Sequence, residues 1–540
     1  MFECFTIAAE EKVLLDKRPE LKESRNTGAL DEVLSFQAAY KSDKYLADVD
    51  VKVEGIPSAN IEIRAVEPVA CTFPAPELRD DYYISDKPFL CPDILRPINA
   101  RKLWLQPDRW QSVWFTVRGL DAGSYNLAIS FVNRDGEILG RCDYSLDIKD
   151  FVLGEHKLFY TNWFHYDGIA RYYNCEVFSE RYNEIMYRFI SDAVKHGVNM
   201  LLTPLFTPPL DTRVGSERLT VQLVDVTREK GEYSFSFARL VSFMKNAREL
   251  GIKYFEMSHL FTQWGAAAAP KIMATDDGVY RRIFGWDTPA AGGEYERFLK
   301  VFLPELKKAI DAEGLYKLCF FHISDEPNDT NIDNYVAARA IFSSALPDAT
   351  IMDALSHYEF YERGLLTMAI AATSAIQVFL DKKTPDLWAY YCCGQSGNYL
   401  SNRFMAMPGE RTRVLGFQLF LNDIKGFLQW GYNFYNSTLS DVGIDPYAVN
   451  DGCGGFPSGD SFIVYPGENG PLDSVRHEHT FDAIQDFKLM CVYAEKFGRD
   501  EAEKLLLDNG FKKDFVTYPR DAVALKEIRR KAVERISSGR

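Results

Sequence analysis

From about residue 155 the sequence alternates short apolar runs with long amphipathic stretches, and this alternation limits the folds that the chain can adopt. Most of the apolar runs are followed by a helical pattern, such as residues 176–196 or 294–313. A strand–helix unit repeated eight times over about 275 residues predicts a parallel (β/α)8 TIM-like barrel. The predicted strands are 158–163, 198–203, 252–258, 318–324, 350–354, 375–380, 388–392 and 426–431.

Residues 1–152 have a different pattern, typical of an antiparallel β-sandwich. Residues 48–53 and 61–66 alternate in polarity, and Arg134–Glu137 has hairpin composition between two further strand-like runs. The polar segment 14–45 is compatible with a helix or a long loop. We therefore predict a sandwich over 1–152, a barrel over 153–500 and a solvent-facing helical extension over 501–540.

Composition and charge exclude several classes of function. Lys and Arg total 62 against 77 Asp and Glu, and this net charge of −15 argues against a nucleic-acid partner. The first twenty residues lack the basic and apolar regions of a secretory signal, and no apolar run approaches a membrane span, so we predict a cytoplasmic protein. None of the ten cysteines forms a C-x-x-C pair and no phosphate-binding glycine motif follows a strand, so neither a metal nor a cofactor is expected.

In parallel barrels the chemistry takes place at the carboxyl ends of the strands. The fourth predicted strand ends in two adjacent carboxylates, Asp325 and Glu326, directly before Pro327. Neighbouring side chains of an extended strand point to opposite faces, so both carboxylates reach one cleft only if the chain bends there. Paired carboxylates suit general acid catalysis, because mutual repulsion keeps one of them protonated. The alternative is a helix start, where acidic residues complement the helix dipole.

Aromatic and polar residues recur at the other strand ends. Aromatic residues are 14% of the chain, and rings with a few directional polar groups are suited to binding a sugar. Taken singly, each of these residues is explained equally well as an ordinary buried ring or core histidine with no role in binding. The candidate substrate-binding residues are Trp163, His165, Glu256, His259, Trp264, Asp353, Trp388, Tyr390, Trp430, Tyr432 and Asn433.

Several of these segments resemble the catalytic domain of glycoside hydrolase family 123. The resemblance spans roughly 155–500 and depends on HISDEP at 322–327, FLQWGYNFY at 427–435 and PSGDSF at 457–462, supported by TPLFTPP at 203–209, HLFTQWG at 259–265 and LWAY at 387–390. It implies an N-terminal β-sandwich before a catalytic barrel, and the activity of an exo-acting β-N-acetylgalactosaminidase.

The resemblance also implies a mechanism and residue roles. The reaction would be retaining and substrate-assisted: the 2-acetamido oxygen attacks the anomeric carbon and forms an oxazolinium ion. Glu326 would be the general acid and base, and Asp325 would orient the acetamido N–H. The rings of Trp388, Tyr390, Trp430 and Tyr432 would form the acetamido pocket and stacking floor, and hydroxyl recognition would fall to His165, Glu256, His259 and Asp353.

Two other functions fit the same residues. One is a glycosidase without acetamido participation, whose second carboxylate is Glu256 or Asp353. The other is a glycan-binding protein without catalytic activity. All three functions have a glycan as the partner, and the oligomeric state is left open.

Overall fold

The computed structural model describes residues 1–327 and 329–539 and begins with two five-stranded sheets. The sheet orders are β1-β3-β8-β5-β6 and β2-β10-β9-β4-β7. The strands are β1 Phe2–Ala8, β2 Arg25–Ala29, β3 Leu34–Ser42, β4 Leu46–Glu54, β5 Ile61–Cys71, β6 Phe89–Pro97, β7 Leu103–Leu105, β8 Gln111–Val117, β9 Gly123–Val132 and β10 Ile138–Lys149.

The two sheets pack face to face through alternate apolar residues, and Phe36 stacks on Tyr144 across the interface with ring centroids 3.8 Å apart. The arrangement differs from the prediction in two respects. β2 runs parallel to β10, so the second sheet is not purely antiparallel. The polar segment 14–45 contains the strands β2 and β3 rather than a helix, because β3 pairs with β1 on one side and β8 on the other and is buried along nearly its whole length.

Eight parallel strands then close into a barrel, as predicted. Seven of them coincide with predicted runs and begin or end within a few residues of them. The barrel strands are β11 Phe159–Asn162, β12 Met200–Thr203, β15 Tyr254–Met257, β18 Cys319–Phe321, β19 Thr350–Leu355, β20 Met368–Ala372, β21 Trp388–Tyr391 and β22 Gly426–Gln429.

The sixth barrel strand was predicted at the wrong position. Residues 375–380 fall mostly in a short helix, and the strand is β20, whose sequence Met-Ala-Ile-Ala-Ala contains a single β-branched residue. β20 is a strand because it forms backbone hydrogen bonds with β19 on one side and β21 on the other. An alanine-rich run has little intrinsic preference for a strand, so here the pairing with neighbouring strands determines the conformation.

Helices and hairpins connect the strands. Two hairpins, β13 Asp225–Glu229 with β14 Glu232–Ser236 and β16 Ile272–Asp276 with β17 Val279–Phe284, form a four-stranded sheet outside the barrel, and β23 Tyr465–Pro466 pairs with β24 Pro471–Leu472. The helices are α1 Tyr166–Tyr172, α2 Glu180–Lys195, α3 Ala238–Glu249, α4 Glu294–Asp311, α5 Ile332–Ala345, α6 Tyr358–Glu362, α7 Gln377–Asp381, α8 Gly409–Arg413, α9 Leu415–Leu421, α10 Val475–Phe497, α11 Arg499–Leu507 and α12 Ala522–Ser538.

The C-terminal extension is helical, as expected, but it does not simply face solvent. α12 buries one face, including Leu525 and Ile528. Arg529 on the same face donates to the backbone carbonyl of Thr27 in β2 and to Asp486 in α10. The charged residues of this segment thus join the N-terminal sheets to the barrel. The high local charge had predicted a solvent-facing segment and gave no sign of this contact. In the described part of the chain, no helix is long and apolar enough to cross a membrane.

Candidate active site

A cleft opens at the carboxyl ends of the barrel strands, where the chemistry was expected. It encloses about 650 Å³ of open space, including the solvent at its mouth. Four barrel strands and their loops contribute aromatic rings to it, and two carboxylates project from the loop after β18. The lining residues are Trp163, Leu210, Asp211, Gln263, Trp264, Asp325, Glu326, Ala354, Tyr390, Cys392, Cys393, Leu428, Trp430 and Phe456.

The bend that brings the two carboxylates together is at Glu326 itself. β18 ends at Phe321, and Glu326 has a left-handed backbone with φ of 43°. This conformation is uncommon for a residue with a Cβ and turns the chain sharply. The carbonyl of Asp325 accepts a 3.0 Å hydrogen bond from the backbone N–H of Trp264, which fixes the bend against the neighbouring loop. Adjacent residues therefore line one cleft.

The two carboxylates have different surroundings. Burial and the nearby charge of Glu326 raise the pKa of Asp325 well above its usual range. The Glu326 Oε1 atom accepts a 2.8 Å hydrogen bond from the hydroxyl of Tyr390, at the end of β21. Asp325 is thus a carboxyl with a high proton affinity, and Glu326 is held in place by a phenol.

A buried charge network lies directly beneath these carboxylates. His322 is completely buried, with its Nε2 atom 2.9 Å from Glu256 and its Nδ1 atom 3.1 Å from Asp353. Asp353 also accepts hydrogen bonds from the backbone N–H of Ile323 and, at 2.7 Å, from the hydroxyl of Tyr335. These contacts fix the backbone immediately before Asp325.

Both ring nitrogens of His322 face carboxylates, so both act as donors and the ring is an imidazolium. Burial lowers the pKa of His322, but the hydrogen bonds to Asp353 and Glu256 outweigh it and raise the pKa to about 9. Glu256 and Asp353 were expected to bind sugar hydroxyls. The structure instead places both of them under the cleft, fully buried and engaged by His322.

Four rings of the cleft were anticipated from the sequence: Trp163, Trp264, Tyr390 and Trp430. Trp264 is 46% exposed and has a left-handed backbone with φ of 57°. The indole N–H of Trp163 donates to Glu256 at 2.9 Å and that of Trp430 donates to Asp460 at 3.0 Å. Both hydrogen bonds fix the orientation of the indole rings, of which Trp163 is 3% exposed and Trp430 is half-buried.

The other predicted binding residues do not line the cleft. Trp388 lies inside the barrel, stacked on Phe159, and the hydroxyl of Tyr432 donates to Asp192 on α2. The side-chain amide of Asn433 accepts from the backbone N–H of His165 and donates to the His165 carbonyl. The His165 ring is buried, and burial lowers its pKa to about 3. His259 is buried and stacks on His322. Each of these residues follows or belongs to a barrel strand, so sequence position alone could not separate cleft residues from core residues.

Asp211, Gln263 and the adjacent pair Cys392–Cys393 line the cleft but were not among the predicted site residues. Asp211 lies in a long loop after β12, eight residues beyond the end of the strand. Its sequence context, between Leu210 and Thr212, has no motif that distinguishes it from a surface loop. The Pro208–Pro209 pair just before it is the one local signal of a constrained backbone.

Among the residues that the structure describes, two side-chain clusters have the composition of metal ligands, but their contacts suit proton and ion-pair networks better. In the cluster of His259, His322 and Asp353, both nitrogens of His322 already donate to carboxylates. In the second cluster, Asp192, His196, Asp473 and His477, the two imidazole rings are stacked with centroids 3.6 Å apart. Burial lowers the pKa of His196, but Asp473 and Asp192 outweigh it and raise the pKa to about 10, so the imidazole holds a proton where a metal ligand needs a free lone pair.

Comparisons with known proteins agree with the fold. The family model "Glycoside hydrolase 123, catalytic domain" matches residues 163–493. Over 100% of this chain and 98% of the other, the structure is similar to a family 123 glycoside hydrolase from Clostridium perfringens, studied for glycolipid glycan hydrolysis, with a TM-score of 0.74 and 14% sequence identity. This likeness supports the fold.

More distant structures also match. One is β-glucuronidase 3 from Bacteroides uniformis, with 10% identity, a TM-score of 0.31 and coverage of 85% of this chain and 51% of that chain. Another is the β-glucuronidase of Parabacteroides merdae, with 10% identity, a TM-score of 0.32 and coverage of 88% and 52%. A comparison with curated protein sequences finds no match.

Proposed function

Because the chain belongs to glycoside hydrolase family 123, we propose that it is a retaining exo-β-N-acetylgalactosaminidase that uses the acetamido group of its substrate as the nucleophile. The observation that carries this proposal is the left-handed backbone at Glu326, which puts two consecutive carboxylates on one cleft. One of them can serve the glycosidic oxygen while its neighbour reaches the acetamido group of the same sugar.

In the first step the acetamido oxygen attacks the anomeric carbon and the glycosidic C–O bond breaks. Glu326 gives its proton to the leaving oxygen, and the acetamido group becomes part of an oxazolinium ring. Asp325 accepts a hydrogen bond from the acetamido N–H, whose acidity rises as positive charge develops. The two carboxyls repel and hold one proton between them; with that proton on Glu326 at the leaving oxygen, Asp325 is the carboxylate that accepts from the acetamido N–H.

In the second step water attacks the same carbon and reopens the ring. Glu326, now a carboxylate, takes the proton of the water. Two displacements at one carbon retain the β-configuration. The hydroxyl of Tyr390 stabilises the carboxylate of Glu326 between the two steps, because it already donates to that carboxylate at 2.8 Å.

The buried network favours this mechanism over one with a second enzyme carboxylate at Glu256 or Asp353. Both of these groups are fully buried and bonded to His322, so neither is available to a water molecule or to an anomeric carbon in the cleft.

The test offers aryl β-N-acetylgalactosaminide, aryl β-N-acetylglucosaminide and aryl β-galactoside to the wild type, to Glu326→Gln and to Asp325→Asn. We expect the first substrate to be turned over fastest and the plain galactoside hardly at all. Loss of a general acid costs about 10²- to 10⁴-fold, so Glu326→Gln should lose least with the most acidic phenol as leaving group. Asp423→Asn, at an exposed ion pair with Lys425 before β22 and so at the opposite end of the barrel, is the matched control and should behave as the wild type.

Two results would contradict the proposal. Equal turnover of the plain galactoside would show that the acetamido group takes no part. Turnover of none of the three substrates, with glycan binding retained, would favour a glycan-binding protein. Proton NMR of the first-formed product distinguishes retention from inversion directly.

A further inference from the structure

Asp211 is a third carboxylate in the cleft, and the proposed mechanism does not use it. It is half-buried and lines the same space as Asp325, Glu326 and Trp264. Its negative charge is one of the influences that raise the pKa of Asp325, so the two carboxyls lie within electrostatic range.

The backbone around Asp211 is held by contacts from two other loops. Its carbonyl accepts a 2.7 Å hydrogen bond from the hydroxyl of Ser440, and its N–H donates to the side chain of Gln263. Gln263 also donates to the carbonyl of Thr212 at 3.3 Å, and the N–H of Arg213 donates to the carbonyl of Leu439 at 2.9 Å. The loops after β12, β15 and β22 therefore meet at this residue.

The same contact involves three residues with left-handed backbones. The φ angles are 39° at Asp211, 57° at Leu439 and 54° at Ser440. Such conformations cost of order 1–3 kcal/mol each for residues with side chains and persist where the surroundings impose them. Here they are concentrated around a single carboxylate that faces the cleft.

The two oxygens of this carboxylate are in different situations. Oδ2 accepts a 2.9 Å hydrogen bond from the backbone N–H of Leu439. Within residues 1–327 and 329–539, no hydrogen-bond donor reaches Oδ1, and the side chain belongs to the cleft lining. One oxygen thus anchors the group, and the other is free to accept a hydrogen bond from a ligand.

We propose that Asp211 binds a ring hydroxyl of the terminal sugar and determines which hydroxyl configuration the cleft accepts. The inference rests on the proposed function, because it places the same sugar between Asp211 and the Asp325–Glu326 pair. The glycosidic oxygen and the acetamido group occupy that pair, so the hydroxyls at C3, C4 and C6 need partners elsewhere. Asp211 is an anchored acceptor beside the exposed ring of Trp264, and an anchored carboxylate accepts from a hydroxyl with little loss of entropy.

The test pairs Asp211→Asn with a series of substrates. The asparagine oxygen can still accept from Leu439, while its NH2 group replaces the free acceptor, so the loop anchor is preserved. The wild type, the variant and the control Asp423→Asn are assayed on the aryl β-glycoside that the wild type turns over fastest, and on its 3-, 4- and 6-deoxy analogues. Circular dichroism and the thermal midpoint check the fold of each protein.

For the wild type we expect one deoxy analogue to lose about 10- to 100-fold in kcat/KM, the range for a hydrogen bond to a charged group. On the parent substrate, kcat/KM of Asp211→Asn should be lower than that of the wild type by a similar factor. For this variant, kcat/KM on that one deoxy analogue should be almost the same as on the parent substrate. The other deoxy analogues should lose equally in both proteins, and Asp423→Asn should follow the wild type throughout.

Three results would overturn the proposal. Asp211→Asn could match the wild type on the parent substrate, or it could respond to every deoxy analogue as the wild type does; either would show that Asp211 contacts no hydroxyl. A loss beyond about 10⁴-fold on all substrates, including the deoxy series, would make Asp211 a catalytic group instead. The proposed function fails by a different result: the wild type shows no preference for the acetamido sugar. If the wild type turns over none of the substrates, both proposals are wrong.

Discussion

The charge state of His322 can be tested by replacing Asp353 with asparagine. Asp353 accepts from His322 at 3.1 Å, and the ring keeps its second carboxylate, Glu256, at 2.9 Å. All three side chains are fully buried. The variant therefore removes one of the two charges that hold the proton on the imidazole and leaves the other in place.

The magnitude follows from the pKa of His322. A folded-state pKa of about 9 against an ordinary 6.5 contributes about 3.4 kcal/mol of stability. Because the pKa is raised on folding, this contribution is complete below pH 6.5 and disappears as the pH rises through 9. If the two carboxylates share the effect equally, Asp353→Asn retains about half of it. The stability difference between wild type and variant should then shrink by about 1.5 kcal/mol between pH 6 and pH 9.5.

The assay is urea-induced unfolding of both proteins at several pH values, with Asp423→Asn as the control for removing an exposed carboxylate. We expect Asp353→Asn to be destabilised by about 3–5 kcal/mol at pH 6, because it breaks a buried ion pair and leaves one partner behind. The control should lose less than about 1 kcal/mol. In parallel, ¹⁵N NMR of labelled histidine should show both ring nitrogens of His322 protonated at pH 8.

A stability difference that stays constant from pH 6 to pH 9.5 would refute the reasoning. It would mean that His322 does not change its proton occupancy in this range, so the ring is neutral and one carboxylate carries the proton. An NMR spectrum with one protonated nitrogen at pH 8 would lead to the same conclusion without reference to stability.

Two further substitutions test the cleft and the barrel interior. Tyr390→Phe removes the hydrogen bond to Glu326 and should lower kcat/KM by about 10- to 100-fold while changing the thermal midpoint little; an unchanged kcat/KM would show that the phenol does not act on that carboxylate. Gly426→Ala would place a Cβ 2.0 Å from the ring of Trp388 and should lower the free energy of unfolding by at least about 3 kcal/mol. The control Gly293→Ala, whose added Cβ would have no atom within 4 Å, should lower it by less than about 0.5 kcal/mol. Equal stability of the two alanine variants would contradict the packing inside the barrel.

The barrel could be predicted because buried parallel strands are apolar on both faces and stand out from the helices between them. β12 and β22 are fully buried along their length and were found within a few residues. β20 was missed because its alanines have no strand preference of their own. Trp388 and Tyr390 lie two residues apart on β21, so both point into the barrel. Only Tyr390, nearer the carboxyl end of the strand, reaches the cleft, and the sequence pattern does not show how deep each side chain lies.

Asp211 was missed for a related reason. Its position depends on contacts with Gln263 and Leu439, which are separated from it by about 50 and about 230 residues. No local pattern encodes contacts at that separation. Adjacent carboxylates, by contrast, are visible in the sequence at once, and only the backbone angle that lets them cooperate had to come from the structure.

The cleft concentrates unfavourable conformations, and this distribution indicates how the fold supports its chemistry. Asp211, Trp264 and Glu326 all have left-handed backbones and all line the cleft. A chain of this size can sustain several such residues only if the frame around them is rigid. The buried imidazolium of His322 provides that rigidity beneath Asp325, because moving the backbone there would separate a charge from both of its partners. Buried ion pairs such as those of His322 with Glu256 and Asp353 add little net stability. They do hold two neighbouring carboxylates in a geometry that the chain would not otherwise adopt.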